Sequence, residues 1–152
     1  MKTVANDRDR AHLLERLRRA RPDSARRWGR MSAHQMVCHL RDAFHMASGD
    51  RAVSDASSLW GRTVMRCLAL YVPLSWPSGI LTRPELDQTL DGTPPRDFTS
   101  DLAECCARLE ALAAVADRDD WPPHPIFGPM SRAAWCRWAY LHTDHHLRQF
   151  GA

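Results

Sequence analysis

The sequence predicts an all-α protein, an antiparallel four-helix bundle with a short extra helix in a long crossover. Apolar residues recur with helical spacing in several windows, and the ten prolines avoid 23–72, 96–121 and 130–152. No segment alternates between polar and apolar residues as a half-buried strand does. The chain has 152 residues, close to the usual size of one domain, so we expect 1–152 to form a single bundle domain.

The first two bundle helices lie in the N-terminal third of the chain. A weaker helix is predicted at about 6–20, where three leucines cluster. A long helix follows, with Ser32 as a suitable N-cap and Gly49 as a suitable stop. Its apolar stripe comprises Ala33, Met36, Val37, Leu40, Ala43, Phe44 and Ala47.

A short helix is predicted at about 58–71, in the crossover that follows the second bundle helix. Its apolar side chains recur at helical spacing. They are Trp60, Val64, Leu68 and Tyr71. The segments 73–97 and 121–130 contain nine of the ten prolines and are predicted as ordered connections.

The two remaining bundle helices lie in the C-terminal part. One follows a cap region at 97–100, with a stripe of Leu102, Cys105, Cys106, Leu109, Leu112, Ala113 and Ala116. The other begins near Ser131, runs to about Gln149 and ends before Gly151. Its core-facing side chains are Trp135, Trp138, Ala139, His142 and His146.

Composition and charge exclude several classes of protein. A chain that is 44% hydrophobic and 26% charged is typical of a globular domain and not of a disordered one. The longest apolar run, 67–74, is too short to span a membrane, and the N-terminus lacks the apolar core of a secretory signal, so we expect a cytoplasmic protein. Five cysteines without a Cys-x-x-Cys pair indicate reduced, buried thiols.

Basic charge is concentrated near the N-terminus. Residues 8–30 contain nine arginines and three acidic residues, whereas the whole chain has a net charge of +3. Because no nucleic-acid motif or interleaved aromatic pattern accompanies them, we expect a solvated charged face and no nucleic-acid partner. The alternative is a non-catalytic module that binds an acidic partner through this stretch.

Three of the eight histidines are predicted to reach the core. At about 100° per residue, His142 and His146 lie within about 20° of Trp135, in the middle of the apolar stripe. On the helix that begins at Ser32, His39 lies about 90° from the stripe centre and is the histidine best placed to turn inward. The histidines expected to face solvent or lie in loops are His12, His34, His45 and His124.

The pair His142 and His146 indicates a metal site. Burying an unpaired polar group costs about 1–3 kcal/mol, and a divalent ion removes this cost for both rings. Histidines at i and i+4 can share one ion, with His39 as a third ligand from a neighbouring helix. Three imidazoles leave an open coordination position, and zinc is preferred over nickel. The alternative is a set of hydrogen-bonded core histidines.

The sequence leaves more than one role open for several other polar and aromatic residues. Gln149 is expected to hydrogen-bond a ligand or to cap the helix end. His145 is expected to support the ligands, to replace one of them, or to lie on the surface. Cys38 points away from its helix's stripe, which argues against a nucleophilic or ligand role. Trp76 and Trp121 are expected to anchor loops or to form the rim of a pocket.

Two motifs give the chain a resemblance to a known family. They are WGRMSAHQMVCHL at 28–40 and LHTDHHLRQFG at 141–151, with FGPMS between them at 127–131. The chain resembles the DinB/YfiT-like superfamily over nearly its whole length, and within it a bacterial subgroup of unknown function. This resemblance implies up-down-down-up connectivity and a metal held by three histidines. Their positions match His39, His142 and His146.

The resemblance also implies a class of activity. The superfamily includes metal-dependent transferases that join a low-molecular-weight thiol to an electrophile, together with hydrolases. It therefore implies a thiol transferase or hydrolase with a small-molecule substrate, and a metal-binding structural protein without turnover is a further alternative. We also expect a homodimer formed through an exposed bundle face.

Overall fold

The computed structural model describes residues 1–116 and 120–152, and in these residues the chain forms five α-helices and no β-strand. They are α1 Asp7–Arg18, α2 Ala33–Ser48, α3 Arg66–Tyr71, α4 Phe98–Ala114 and α5 Arg132–Gln149. A π-helical turn, Gly61–Met65, leads directly into α3, and a 3-10 turn, Pro84–Leu86, precedes α4. The predicted all-helical fold class is confirmed. None of the described helices is long and apolar enough to cross a membrane.

The helices α1, α2, α4 and α5 pack around one buried apolar cluster. Both α4 and α5 contact α1 and α2, whereas no Cα atom of α1 lies within 8 Å of one in α2. The largest fully buried side chain is Trp135 of α5, followed by Phe44 of α2. This packing makes α2 and α5 neighbours, so side chains of these two helices can meet in the interior.

Local capping fixes where α2 and α5 begin. The Ser32 hydroxyl accepts a hydrogen bond from the Gln35 amide, and the Gln35 side chain accepts one from the Ser32 amide, which forms a capping box. Ser131 caps α5 by accepting from the Ala134 amide. Gly49 ends α2 with a φ of 89°, a left-handed conformation that favours glycine.

Helix α2 is covered on several sides, since 12 of its 16 residues are buried. It packs against α4 and α5, and Pro84–Leu86 covers part of the remaining surface. Cys38 lies opposite the apolar stripe but is fully buried, with its Sγ 3.6 Å from Oδ2 of Asp101, because the stripe marks only one of the covered faces. The expectation of buried thiols is confirmed for four of the five cysteines and is wrong for Cys67, which is exposed on α3.

The predicted short helix at 58–71 is present as the π-helical turn and α3, but its apolar side faces outward. Trp60 is 60% exposed and Leu68 48% exposed, whereas Gly61 and Leu70 are buried. A Cβ atom on Gly61 would lie 2.5 Å from the carbonyl oxygen of Ile126. Because Gly61 has no side chain, its face of the helix can pack closely against the main chain at Ile126. The opposite face, which carries the large apolar side chains, remains exposed.

Candidate metal centre

Three histidine rings meet between α2 and α5. His39 comes from α2, and His142 and His146 lie one turn apart on α5. The Nε2 atom of His142 is 3.1 Å from Nε2 of His39 and 3.2 Å from Nε2 of His146. All three residues are buried, and the three nitrogens lie within 4.8 Å of one another. The structure thus brings together the three histidines selected from the sequence.

The outer nitrogens of two rings are held by hydrogen bonds. Nδ1 of His39 donates to the carbonyl oxygen of Leu86 at 2.9 Å, and Nδ1 of His146 donates to Oε1 of Gln149 at 2.9 Å. The Gln149 amide is oriented by its own bond from Nε2 to the carbonyl oxygen of Trp28. Because these oxygens accept, the protons reside on Nδ1, and both Nε2 lone pairs face the centre of the triad.

His142 cannot satisfy both of those lone pairs. As a neutral imidazole it carries one N–H, which can be donated from Nε2 to only one neighbour. Its Nδ1 atom is buried and has no hydrogen-bond partner. In either tautomer, at least one lone pair that faces the centre lacks a donor. A cation between the rings would supply the missing partner.

The spacing and protonation of the triad fit a divalent metal. Two imidazole nitrogens on one tetrahedral zinc ion lie about 3.3 Å apart, given Zn–N bonds of about 2.0–2.1 Å. The two short separations here are 3.1 and 3.2 Å. Burial lowers the pKa of all three rings, and neighbouring histidines lower the pKa of His142 and His146 further. The neutral imidazole that a metal requires is therefore the favoured form.

Aromatic side chains form a wall beside the triad. Trp138 stacks on His142, with ring centroids 4.6 Å apart. Trp76, from the proline-rich connection, lies 6.2 Å from His142 and donates its indole N–H to the carbonyl oxygen of Ala69. Trp76 therefore anchors its loop on α3 and also borders the site, while Trp121 packs against the apolar core.

His145 lies next to the triad without joining it. Its ring centroid is 5.2 Å from that of His146, and the ring sits between Trp28 at 5.9 Å and Trp76 at 6.1 Å. The residue is half-buried, and its Nδ1 atom has no hydrogen-bond partner. Burial lowers the pKa of His145, and the Arg148 charge lowers it further. The His145 ring thus lies beside the candidate ligand His146, and the role of His145 stays a prediction.

A polar network that the sequence did not reveal supports His39 from outside. The carboxylate of Asp42, only 1% exposed, accepts hydrogen bonds from the Thr93 amide, the Thr93 hydroxyl and the Gln88 side chain. Arg51 pairs with the same carboxylate at 3.3 Å and also donates to the Glu85 carbonyl oxygen. These contacts fix the 84–93 segment on α2, and the Leu86 carbonyl oxygen with it.

A second polar cluster joins α2 to α4 at Asp101. Its carboxylate receives Arg41 at 2.6 Å, the Arg96 amide at 3.0 Å and Nε2 of His34 at 2.7 Å. Burial, then the Asp101 charge, raises the pKa of the Cys38 thiol to about 12, so the thiol stays protonated. The buried pair of Arg41 with Asp101 makes the cluster an ion pair between helices.

Three of the histidines expected to face solvent or lie in loops are more enclosed than predicted. His45 is half-buried, with ring nitrogens 3.5 Å from Asp50 and 3.7 Å from Glu104. His34 is half-buried because it bonds to Asp101. His124 does lie in a loop, but it is buried, stacks on Phe127 and accepts from the Phe127 amide. By contrast, His12 on α1 is exposed.

The chain matches the model of a family described as "Protein of unknown function (DUF1569)" over residues 4–152. The chain belongs to this family. The match spans all five helices and the three histidines of the triad, and the DUF1569 description assigns no activity. No curated protein and no solved structure matches the chain.

Proposed function

We propose that the chain is a DinB-like, metal-dependent enzyme with up-down-down-up connectivity and a divalent ion at His39, His142 and His146. Zinc is the preferred ion, and nickel is the alternative. The observation that carries the proposal is that three buried Nε2 atoms converge. Those of His39 and His146 direct lone pairs at Nε2 of His142, which can donate a proton to only one of them. A bound ion would act as a Lewis acid that activates water or a small thiol at neutral pH.

The ligand set supports a catalytic site over a closed structural one. Structural zinc sites use four protein ligands, whereas catalytic sites keep one position open for water or substrate. Among the described residues, no fourth histidine, cysteine or carboxylate joins the triad. His142 and His146 are buried but retain 9% and 8% exposure, so they lie near the edge of the buried interior.

The surroundings of the triad suggest a small-molecule substrate. His39 and His146 hold their inward nitrogens in place through Leu86 and Gln149, which keeps the ligand geometry fixed during a reaction. Trp76 and Trp138 provide an aromatic wall that would shield bound substrate from water. Thiol transfer and hydrolysis both suit this arrangement, since each needs a nucleophile activated beside an open position.

The open position can be tested by spectroscopy on the cobalt-loaded protein. We would titrate it with 2-mercaptoethanol and, separately, with azide. The proposal predicts a new ligand-to-metal charge-transfer absorption with the thiol, its absence in His39→Ala, and subsequent turnover by the zinc-loaded protein with a thiol plus an electrophile or with an activated ester. A spectrum that neither additive changes would show a closed site and contradict the proposal.

The alternative, a module that binds an acidic partner through residues 8–30, has weaker support. Four arginines in α1 or directly after it already pair with acidic side chains of the same chain. The pairs are Arg10 with Asp7, Arg16 with Asp144, Arg18 with Glu110, and Arg19 with Glu15. Intramolecular pairing reduces the positive charge available to a partner.

A further inference from the structure

The crossover carries a concentrated apolar surface. Of the eleven large apolar side chains that are exposed among the described residues, nine lie between residues 59 and 81. Four of them form the stripe along the π-helical turn and α3, which we call the α3 stripe. Its members are Trp60, Val64, Leu68 and Tyr71, exposed by 60, 37, 48 and 49%.

The size of this surface is that of a protein interface. With about 150–250 Å² for each fully exposed large aromatic side chain and somewhat less for aliphatic ones, the nine residues expose on the order of 1,000 Å². The four members of the α3 stripe alone expose on the order of 400 Å². One partner of a stable protein complex buries about 800 Å², so a stable dimer would have to cover the other exposed apolar side chains of residues 59–81 together with the stripe.

The charges around the α3 stripe favour a protein partner without strong charge. Residues 58–81 contain no acidic side chain and no lysine, and the two basic ones are Arg62 and Arg66. Arg62 donates to the Ser57 hydroxyl, and Arg66 donates to the carbonyl oxygen of Pro129. Both arginines thus bond to their own chain, and Arg62, whose side chain is 49% exposed, also lies 3.7 Å from Asp55, which leaves little unpaired positive charge for an anionic membrane.

We propose that the α3 stripe is covered by a second copy of this chain, in a symmetric homodimer. In a two-fold interface each surface meets its own copy, so an uncharged apolar stripe brings no like charges together. Trp60 and Tyr71 lie near opposite ends of the stripe. When two copies of this helix pack antiparallel, the Trp60 end of each copy lies against the Tyr71 end of the other. The proposal is independent of the proposed function, because it uses neither the triad nor a metal.

The dimer would also stabilise one wall of the metal centre. Trp76 is anchored to α3 through the carbonyl oxygen of Ala69 and lies over His142 and His145. A helix held on its outer side by a second copy has less freedom to move. Association through the α3 stripe therefore orders the residue that borders the site.

Sedimentation equilibrium of the full chain tests the proposal. We would compare the wild-type chain with Leu68→Glu, and with Leu90→Glu as a matched control, since Leu90 is 63% exposed but lies outside the 59–81 segment. Trp60→Lys serves as a second variant, because a side chain that is 60% exposed can be replaced with little effect on the monomer fold. Far-UV circular dichroism checks the helix content of each variant.

The expected result is a species of twice the chain mass of 17.3 kDa for the wild type and Leu90→Glu. Leu68→Glu and Trp60→Lys should raise the dimer dissociation constant by roughly 30-fold or more while keeping the helix content. A wild-type chain that is monomeric at about 100 μM, variants that dimerise as the wild type does, or a monomer that co-sediments with anionic lipid vesicles would each overturn the proposal.

Discussion

Nδ1 of His39 donates a hydrogen bond to the carbonyl oxygen of Leu86, a residue 47 positions later in the chain, at 2.9 Å. This bond determines which ring nitrogen of His39 faces His142. It also makes the geometry of the triad depend on a loop segment that is itself held by Asp42. The other fixed ring, His146, has its support within its own helix at Gln149.

Gln149→Leu should weaken metal binding by about 10–100-fold, because it removes the acceptor that orients His146. Chelator competition on the zinc-loaded protein measures the affinity. Gln149→Glu keeps an acceptor for His146 and should retain most of the affinity. Equal affinities for Gln149→Leu and the wild type would show that the amide does not orient the ring.

Gly29→Ala should also weaken metal binding, because it displaces the Gln149 amide that orients His146. A Cβ atom on Gly29 would lie 2.5 Å from Nε2 of Gln149, so the amide must move away from the Trp28 carbonyl oxygen. Gly79→Ala is the matched control, since Gly79 also has a positive φ but a Cβ atom there would meet no other atom within 4 Å. Chelator competition should show weaker zinc binding only for Gly29→Ala, while both variants lose about 1 kcal/mol from the positive φ.

Asp42→Ala should lower the free energy of unfolding of the metal-free protein by about 3 kcal/mol, measured in urea. The substitution removes a buried carboxylate and leaves Thr93 and Gln88 without their acceptor. Hydrogen exchange of the Leu86 and Thr93 amides should accelerate as the segment loosens. Asp91→Ala, at an exposed position of the same segment, should leave both measurements close to wild type.

Asp101→Asn should make the free energy of unfolding less dependent on pH under acid conditions. Burial opposes ionisation, but hydrogen bonds from the Arg96 amide, His34 and Arg41 outweigh it, so the pKa of Asp101 falls from 3.8 to about 2. A lowered carboxyl pKa contributes stability above pH 4, about 2 kcal/mol here, and this contribution is lost as the pH falls from about 4 to 2. Urea unfolding between pH 7 and pH 2.5 should give a shallower decline for Asp101→Asn, and parallel curves would contradict this assignment.

The helices could be predicted from the sequence because their signals are local. The serine caps at Ser32 and Ser131, the glycine at Gly49 and the spacing of apolar residues all act within a few turns. The pairing of His142 with His146 is local for the same reason, since residues four apart share a helix face. His39 was harder to place, because its inward orientation depends on α5 covering a second side of α2.

The support around the site could not be read from the sequence. Asp42 meets Thr93 across 51 residues, and Leu86 contributes a main-chain oxygen that any residue could supply. The outward face of α3 was also hidden, because an apolar stripe looks the same whether it meets the core or a second protein. The inward side of that helix is set by contacts between residues distant in the sequence, such as the approach of Gly61 to the Ile126 backbone and the bond from Arg66 to the Pro129 carbonyl oxygen.

The metal content of the purified protein tests the central claim most directly. We would purify wild type, His39→Ala and His142→Ala without chelators, dialyse them against zinc and then buffer, and measure bound metal by elemental analysis, with His12→Ala as an exposed-histidine control. One equivalent of a divalent metal is predicted for the wild type and His12→Ala, with a large loss in the other two variants. Equal metal in His39→Ala and the wild type, or no metal in any of them, would contradict the claim that the triad holds an ion.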